Sequence, residues 1–311
     1  MAPRTYLAAL IIVAVVIGAI GVYFMLPRPS PEKAPVKLRI ITRHPSDITM
    51  KAKQMFLQSN IAKEYNIVDV EFLDVGPTLW IDVIKSSGEK PGKEIDVAWG
   101  GGPTLFDTLL EAGLLSPLNS SLVLEAMNDI PDEISGASMK RIVDNNIMWV
   151  AAAISSFGFT INKNFLQEYN LTEPDEWKDL AGVVYGLMLP QYGVGVADPT
   201  TSTSNTRMYE IILQAYGWEE GWKIITLMAA NSRIFTESGA VRDAVIRGDI
   251  GVGITIDFYG YTAQVEKPDT CKYVLPNDGS IVNGDPIALL KTSKHPCLLY
   301  TSPSPRDLST S

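Results

Sequence analysis

Cysteine and histidine are nearly absent from this 311-residue chain, which holds only Cys271, Cys297, His44 and His295. Two cysteines give no CxxC pair, no zinc spacing and no disulfide framework. Hydrolytic triads and most zinc sites need histidine, and two residues leave little to build either from. Positive charge is also in short supply, with 26 Lys+Arg against 35 Asp+Glu and a formal net charge of -9. That balance argues against nucleic acid as a partner, because phosphate-backbone binding needs a basic face. No G-x-S-x-G nucleophile motif and no internal repeat occur.

Apolar residues make up 46% of the chain, enough for a real core in one large or two medium domains. They are densest at the start, where residues 6–26, YLAALIIVAVVIGAIGVYFML, carry no charge. About twenty apolar residues in a helix cross a bilayer. No A-x-A-like end and no lipobox cysteine follow. Residues 1–26 are therefore expected to be an uncleaved membrane anchor, with a signal peptide as the alternative. PRPSPEKAP, residues 27–35, has four prolines and reads as an extended spacer. The flanking charges do not fix an orientation, but sequons at Asn119 and Asn170 fit an external domain.

From Val36 the pattern alternates strand and helix. KLRIIT, residues 37–42, and VDVEFLDV read as strands, with DITMKAKQMFLQSNIAKEYNI between them at helical spacing. IDVAW is a third strand, and TLFDTLLEAGLL a helix. Such alternation implies an α/β fold with a largely parallel sheet. IMWVAAAISSFGFTIN reads as a strand crossing between domains, and Thr201, Ser202, Thr203, Ser204 and Asn205 form a start dense in helix-capping residues. From about Cys297 the chain stops reading as a fold. HPCLLYTSPSPRDLSTS resembles a translated adapter sequence, so residues 297–311 are expected to be a non-native tail replacing C-terminal helices.

Between the third strand and its helix stand Gly100, Gly101 and Gly102. Glycine lets backbone approach a ligand. A nucleotide loop would need a Lys-Ser/Thr pair behind it, and none follows. With Trp99 beside them, the glycines read better as one wall of a cleft.

Taken in order, LRIITRHP, IDVAWGGGPTLFDTLLEAGLLSPL, AAAISSFGFTINKNFL, DPTTSTSN, AVIRGDIGVGITIDFYGY and NGDPIALLK resemble the extracellular solute-binding proteins of ABC importers. The similarity is to the two-lobed class that includes ferric-iron, polyamine and thiamine binders, and it runs from about Val36 to about His295. It implies a periplasmic-binding-protein-like (type II) fold of two α/β lobes joined by two crossover strands, which close on the ligand by hinge bending. The crossings would fall near Ile154–Phe159 and around Gln264–Val274. The first lobe would take 36–154 plus 275–296, the second 155–274.

In open α/β sheets ligands bind at strand ends and helix starts, and the candidates follow from that rule. His44 lies in the loop after the first strand, where ferric-binding relatives place a metal ligand. Trp99 can stack on a planar or cationic group, and the Gly100–Gly102 amides can face an anion. Ser155 and Ser156 offer hydroxyls at the crossing. Ser202, Thr203 and Ser204 offer a helix start. In the family pattern Asp257, Tyr259 and Tyr261 end a strand facing the cleft. Ferric binders carry adjacent tyrosines there, but this chain has Phe258 before Tyr259. Asp285, after Asn283 and Gly284, returns a carboxylate to the first lobe. Each residue also has a plain structural use in a turn, a cap or packing.

The resemblance implies a receptor that binds and releases without catalysis or resident cofactor. Its partners would be a small-molecule or metal solute, a membrane permease, and the bilayer through residues 6–26. Three cargoes fit: ferric iron through His44 and Tyr259, a cationic amine through Trp99, Tyr259, Asp257 and Asp285, or an oxyanion at the serine-rich helix start. The position of His44 favours iron or a metal–anion complex. A membrane-anchored sensor domain and a surface hydrolase are the readings from other classes.

Overall fold

The computed structural model describes residues 34–185, 193–202 and 205–295. The expected anchor, nearly all of the spacer, Thr203, Ser204 and the tail at 297–311 lie outside the described residues. Among the described residues no helix is long and apolar enough to cross a membrane.

The first lobe opens with β1 (Val36–Thr42), α1 (Ser46–Gln58) and the short α2 (Asn60–Glu64). The spacing suggested one continuous helix. Ser59 divides it, turning to an extended backbone and capping α2 by accepting from the Ala62 amide at 3.1 Å. Then come β2 (Ile67–Asp74), α3 (Trp80–Gly88), β3 (Val97–Trp99) and α4 (Pro103–Glu111). β1 pairs in parallel with β2 and β3. After β4 (Leu115–Ser116) and α5 (Ser121–Met127), β5 (Glu133–Ile134) and β6 (Ala137–Ser138) make a small hairpin. β7 (Lys140–Val143) and the long β8 (Asn146–Ser155) pair antiparallel at the far side of the sheet.

At Ser156 the chain changes lobes, because β9 (Phe157–Asn162) belongs to a second sheet. α6 (Lys163–Glu168), β10 (Val194–Ala197) and α7 (Thr206–Ala230) follow, and α7 consists of two helical segments meeting at Gly217 with φ +76°. β11 (Ser232–Phe235), α8 (Ser238–Arg247), β12 (Val252–Ile256), α9 (Asp257–Glu266) and β13 (Cys271–Val274) complete this lobe, with strand order β11-β10-β12-β9-β13. β14 (Asn283–Leu290) then returns to the first sheet between β3 and β8.

The return therefore runs through residues 275–282 rather than 264–274. Gln264 is helical, and β13 pairs with β9 inside the second sheet. A short alternating strand looks the same in sequence whether it pairs at home or leaves. Asn-Gly at 283–284, which resembles a turn signal, opens β14 by pairing with Ser155 and Ile154.

Each sheet is covered on both faces. Trp80, Ile84, Phe106 and Trp149 pack on one side of the first sheet, and Leu38, Phe56, Val70 and Val123 on the other. In the second, Phe157, Phe159 and Ile161 pack with Trp177 and Ile254, while Val241, Val245 and Ile250 fill the opposite side. All six residues of β9 are buried, as expected for a strand covered on both faces.

The two crossings lie side by side and are bonded together. Asn283 Nδ2 donates to Ser155 Oγ at 3.3 Å, and Ser156 Oγ donates to Ser280 Oγ at 2.9 Å. Ser280 Oγ also accepts from the Phe157 amide at 3.1 Å and donates to the Phe157 carbonyl at 2.6 Å. The interlobe cavity opens beside this hinge.

Candidate functional site

The lobes stand close together around a cavity of about 70 Å³. Small-molecule pockets are usually about 300–1,000 Å³, so the lobes are nearly shut here, and a cargo larger than an ion enters only as they open. Two side-chain contacts bridge the lobes nearby. Arg43 Nη2 lies 3.6 Å from Glu237 Oε2, and Arg207 Nη2 donates to Thr104 Oγ1 at 2.5 Å.

The first lobe's wall begins where β1 ends. Arg43 and His44 face the cavity, and Arg43 is held from behind by Asp74 at 2.6 Å. His44 Nε2 lies 2.7 Å from Asp285 Oδ2, and both side chains are about nine-tenths buried. That contact is close but not aligned, since neither ring nitrogen makes a directed hydrogen bond. Asp285 reaches this point from β14, where the pairing with β8 slips by one residue between Asp285 and Pro286. Proline cannot donate to a ladder, and irregularities of this kind re-aim side chains.

All three glycines after β3 adopt positive φ, at +82°, +93° and +83°. Gly101 and Gly102 line the cavity, whereas Gly100 lies behind it. A Cβ at Gly100 would stand 2.7 Å from His44 Nε2, so glycine there makes room for the imidazole. Trp99 does not line the cavity. Its ring packs on His44 with centroids 4.2 Å apart and so backs the histidine instead of meeting a ligand.

The second lobe's wall is built from helix starts. Ser202 and Thr201 come from the loop before α7, Ser238 and Glu237 from the start of α8, and Phe258 and Tyr259 from the start of α9. Neither Gly102 at α4 nor Glu237 at α8 makes a side-chain cap bond. First-turn amides at two helix starts, one in each lobe, are thus without side-chain caps beside the cavity. α9 differs, because Asp257 Oδ1 accepts from the Phe258 amide at 2.8 Å.

Three expected site residues turn away from the cavity. Asp257 Oδ2 accepts from the Ser156 amide at 3.0 Å, so this carboxylate clamps the first crossing to α9. Burial raises its pKa above the ordinary carboxylate value. Ser156 is spent on the same hinge. Tyr261 is half exposed and packs on Tyr273, with centroids 4.9 Å apart. The reason is secondary structure: on a strand, residues 257, 259 and 261 would share one face, but these residues begin a helix. Two helical residues turn the side chain by about 200°. Tyr259 stays in the cavity, with its phenol pushed up to about 12, first by burial and then by the Glu237 charge.

The structure thus brings His44, Gly101, Gly102, Ser155, Ser202, Tyr259 and Asp285 to one cavity. It adds Arg43, Glu237 and Ser238, which the sequence reading missed. Arg43 adjoins His44 at a strand end, and Ser238 opens a helix after a Thr-Glu pair, so both carried a positional signal.

A model of the bacterial extracellular solute-binding protein family matches residues 47–297. The chain belongs to this family. Its members bind small solutes and deliver them to ABC permeases. This solute-binding protein is 28% identical over 204 residues to the phosphoglycerate transport regulatory protein PgtC of Salmonella typhimurium, covering 65% of the chain and 46% of the relative. It thus spans about half the length of the curated relatives it matches. Among solved structures it is similar to iron-bound HitA from Pseudomonas aeruginosa, with TM-score 0.64, 20% identity, and 89% and 85% of the two chains covered. It is similar also to AfuA from Actinobacillus pleuropneumoniae with fructose-6-phosphate bound, with TM-score 0.64, 19% identity, and 85% and 77% covered. These likenesses support the two-lobed periplasmic-binding-protein fold.

Proposed function

We propose that this protein is the extracytoplasmic receptor of an ABC importer, held at the outer membrane face by residues 6–26. We further propose that its cargo is a small oxyanion bearing hydroxyls, such as a phosphorylated polyol or hydroxy acid. The observation that carries this reading is the meeting of two helix starts without side-chain caps, one from each lobe, with Arg43 and Ser238 at one closed cavity. Such amides favour anions. Glu237 and Asp285 supply acceptors for cargo hydroxyls, and each sits against a basic partner, Arg43 or His44. The names of PgtC, a phosphoglycerate transport regulatory protein, and of AfuA with its sugar phosphate support the same chemistry.

Ferric iron is the second reading, because His44, Tyr259 and Asp285 share the cavity. It is the weaker one. Tyr261 is turned away and packs on Tyr273, so only one tyrosine faces the cavity. A cationic amine loses Trp99 and Asp257, which the fold uses elsewhere. Donors and acceptors from both lobes line the cavity, which suits binding and release.

A thermal-shift series on the full chain separates these cargoes. 3-Phosphoglycerate or fructose-6-phosphate at a hundredfold excess over Kd raises the melting temperature by about 5 °C or more. A response to ferric salts with a new tyrosinate absorption band, and none to phosphate esters, would replace the oxyanion by iron.

A further inference from the structure

Asn205 is fully buried at the start of α7, yet its side chain does not cap that helix. The amide reaches sideways instead. Its Nδ2 donates to Ser202 Oγ at 2.8 Å and to Ser238 Oγ at 2.9 Å. Both amide protons are used, and Oδ1 has no hydrogen-bond partner. The reversed amide would leave two buried N–H donors bare, which proteins avoid more strictly than a bare carbonyl oxygen.

The direction of these bonds matters to the cavity. A hydroxyl that accepts from an amide still holds its own proton. Ser238 is 6% exposed and lines the cavity at the start of α8. With its lone pair committed to Asn205, its proton serves as a donor for whatever binds there. Ser202 lines the same wall from the preceding loop, which is closed by its amide donating to the Asp198 carbonyl at 2.9 Å. One buried amide thus ties two segments of the second lobe together and faces both of their hydroxyls with a donor.

We propose that Asn205 is a positioning residue that orients the Ser238 hydroxyl as a donor towards the solute. It thereby sets the polarity of this wall in favour of an oxyanion. The inference rests on the oxyanion cargo and adds how the preference is enforced by a side chain that touches no ligand.

The test is calorimetric titration of 3-phosphoglycerate into the full chain, comparing Asn205→Asp with Asn205→Ala. The aspartate is nearly isosteric, but it accepts from the Ser238 hydroxyl and turns its proton inward. Because it also adds a charge, the titration is repeated at high salt, where the loss from a redirected hydroxyl persists and a purely coulombic loss fades. Its affinity falls about tenfold or more, the size expected for losing a hydrogen bond to a charged group. The alanine leaves the hydroxyls unfixed, so its affinity falls less, while the buried space it opens lowers its melting temperature more. Affinity therefore runs wild type, Asn205→Ala, Asn205→Asp, and melting temperature runs wild type, Asn205→Asp, Asn205→Ala. A merely structural role puts alanine last in both, and that result overturns the assignment. So does Asn205→Asp binding within about twofold of wild type, while the cargo reading survives. A wild-type chain that binds no oxyanion overturns both. Should the aspartate variant not fold, Ser238→Ala decides: about tenfold weaker binding supports the assignment, and wild-type affinity removes it.

Discussion

The two lobes build their halves of the cavity by different means. The first lobe's wall is fixed in shape. Three positive-φ glycines carry the backbone past His44, and Trp99, at 4.2 Å, packs against the imidazole. The second lobe's wall is fixed in polarity. Its helix starts are short of side-chain caps, and its serines are oriented by one amide. Backbone sterics tolerate almost no variation, whereas a hydroxyl can be redirected without moving the chain. The first wall thus fixes the room around His44, and the second orients the hydroxyls that face it.

The sharpest way to break this comparison is to place a methyl group on each wall. Gly100→Ala puts a Cβ 2.7 Å from His44 Nε2 at φ +82°. It costs about 2–3 kcal/mol in urea unfolding through strain and displacement of the imidazole. Gly239→Ala in α8 meets nothing nearer than 3.7 Å and lies in ordinary helical backbone. It is neutral or stabilising by up to about 1 kcal/mol. Equal losses would mean that the walls do not differ in rigidity.

A second test concerns burial on the second wall. The Tyr259 phenol is pushed up to about 12 from 10.0. Between those values the unfolded chain has released a proton that the folded chain retains. Stability therefore falls as pH rises through this window. Tyr259→Phe removes that contribution, so its unfolding midpoint declines less steeply there than wild type. Identical slopes would place the phenol in contact with water.

The smallest effect is expected where the walls meet. Arg43 and Glu237 are 3.6 Å apart, with side chains 29% and 60% exposed. Glu237→Gln should change stability by less than about 1 kcal/mol, but it removes one link between the lobes. Small-angle scattering of the ligand-free chain should shift towards a more extended form. No shift would leave closure to Arg207–Thr104 and the hinge bonds.

Much of this was legible in the chain. The strand–helix alternation, the crossing near Ser156 and the positive-φ run of glycines after β3 all follow from local pattern, because periodicity and glycine's φ range act over a few residues. The candidates at strand ends and helix starts, from His44 to Asp285, were also in view. The place of Tyr261 is not legible, because IDFYGY supports a strand or a helix equally well until its neighbours choose. Trp99 was assigned to the ligand because no sequence pattern tells which face of an indole is already occupied.

By itself, then, the sequence determined the strand–helix alternation, the scarcity of cysteine and histidine, and the set of side chains from which a site could be drawn. Only the tertiary structure decided which of them share one cavity. It set Asp285 against His44 across 241 residues of chain, turned Tyr259 inward and Tyr261 outward, and buried Asn205 between two serines. Those choices depend on register, helix phase and packing between distant segments, and none of these is written in the order of neighbouring residues.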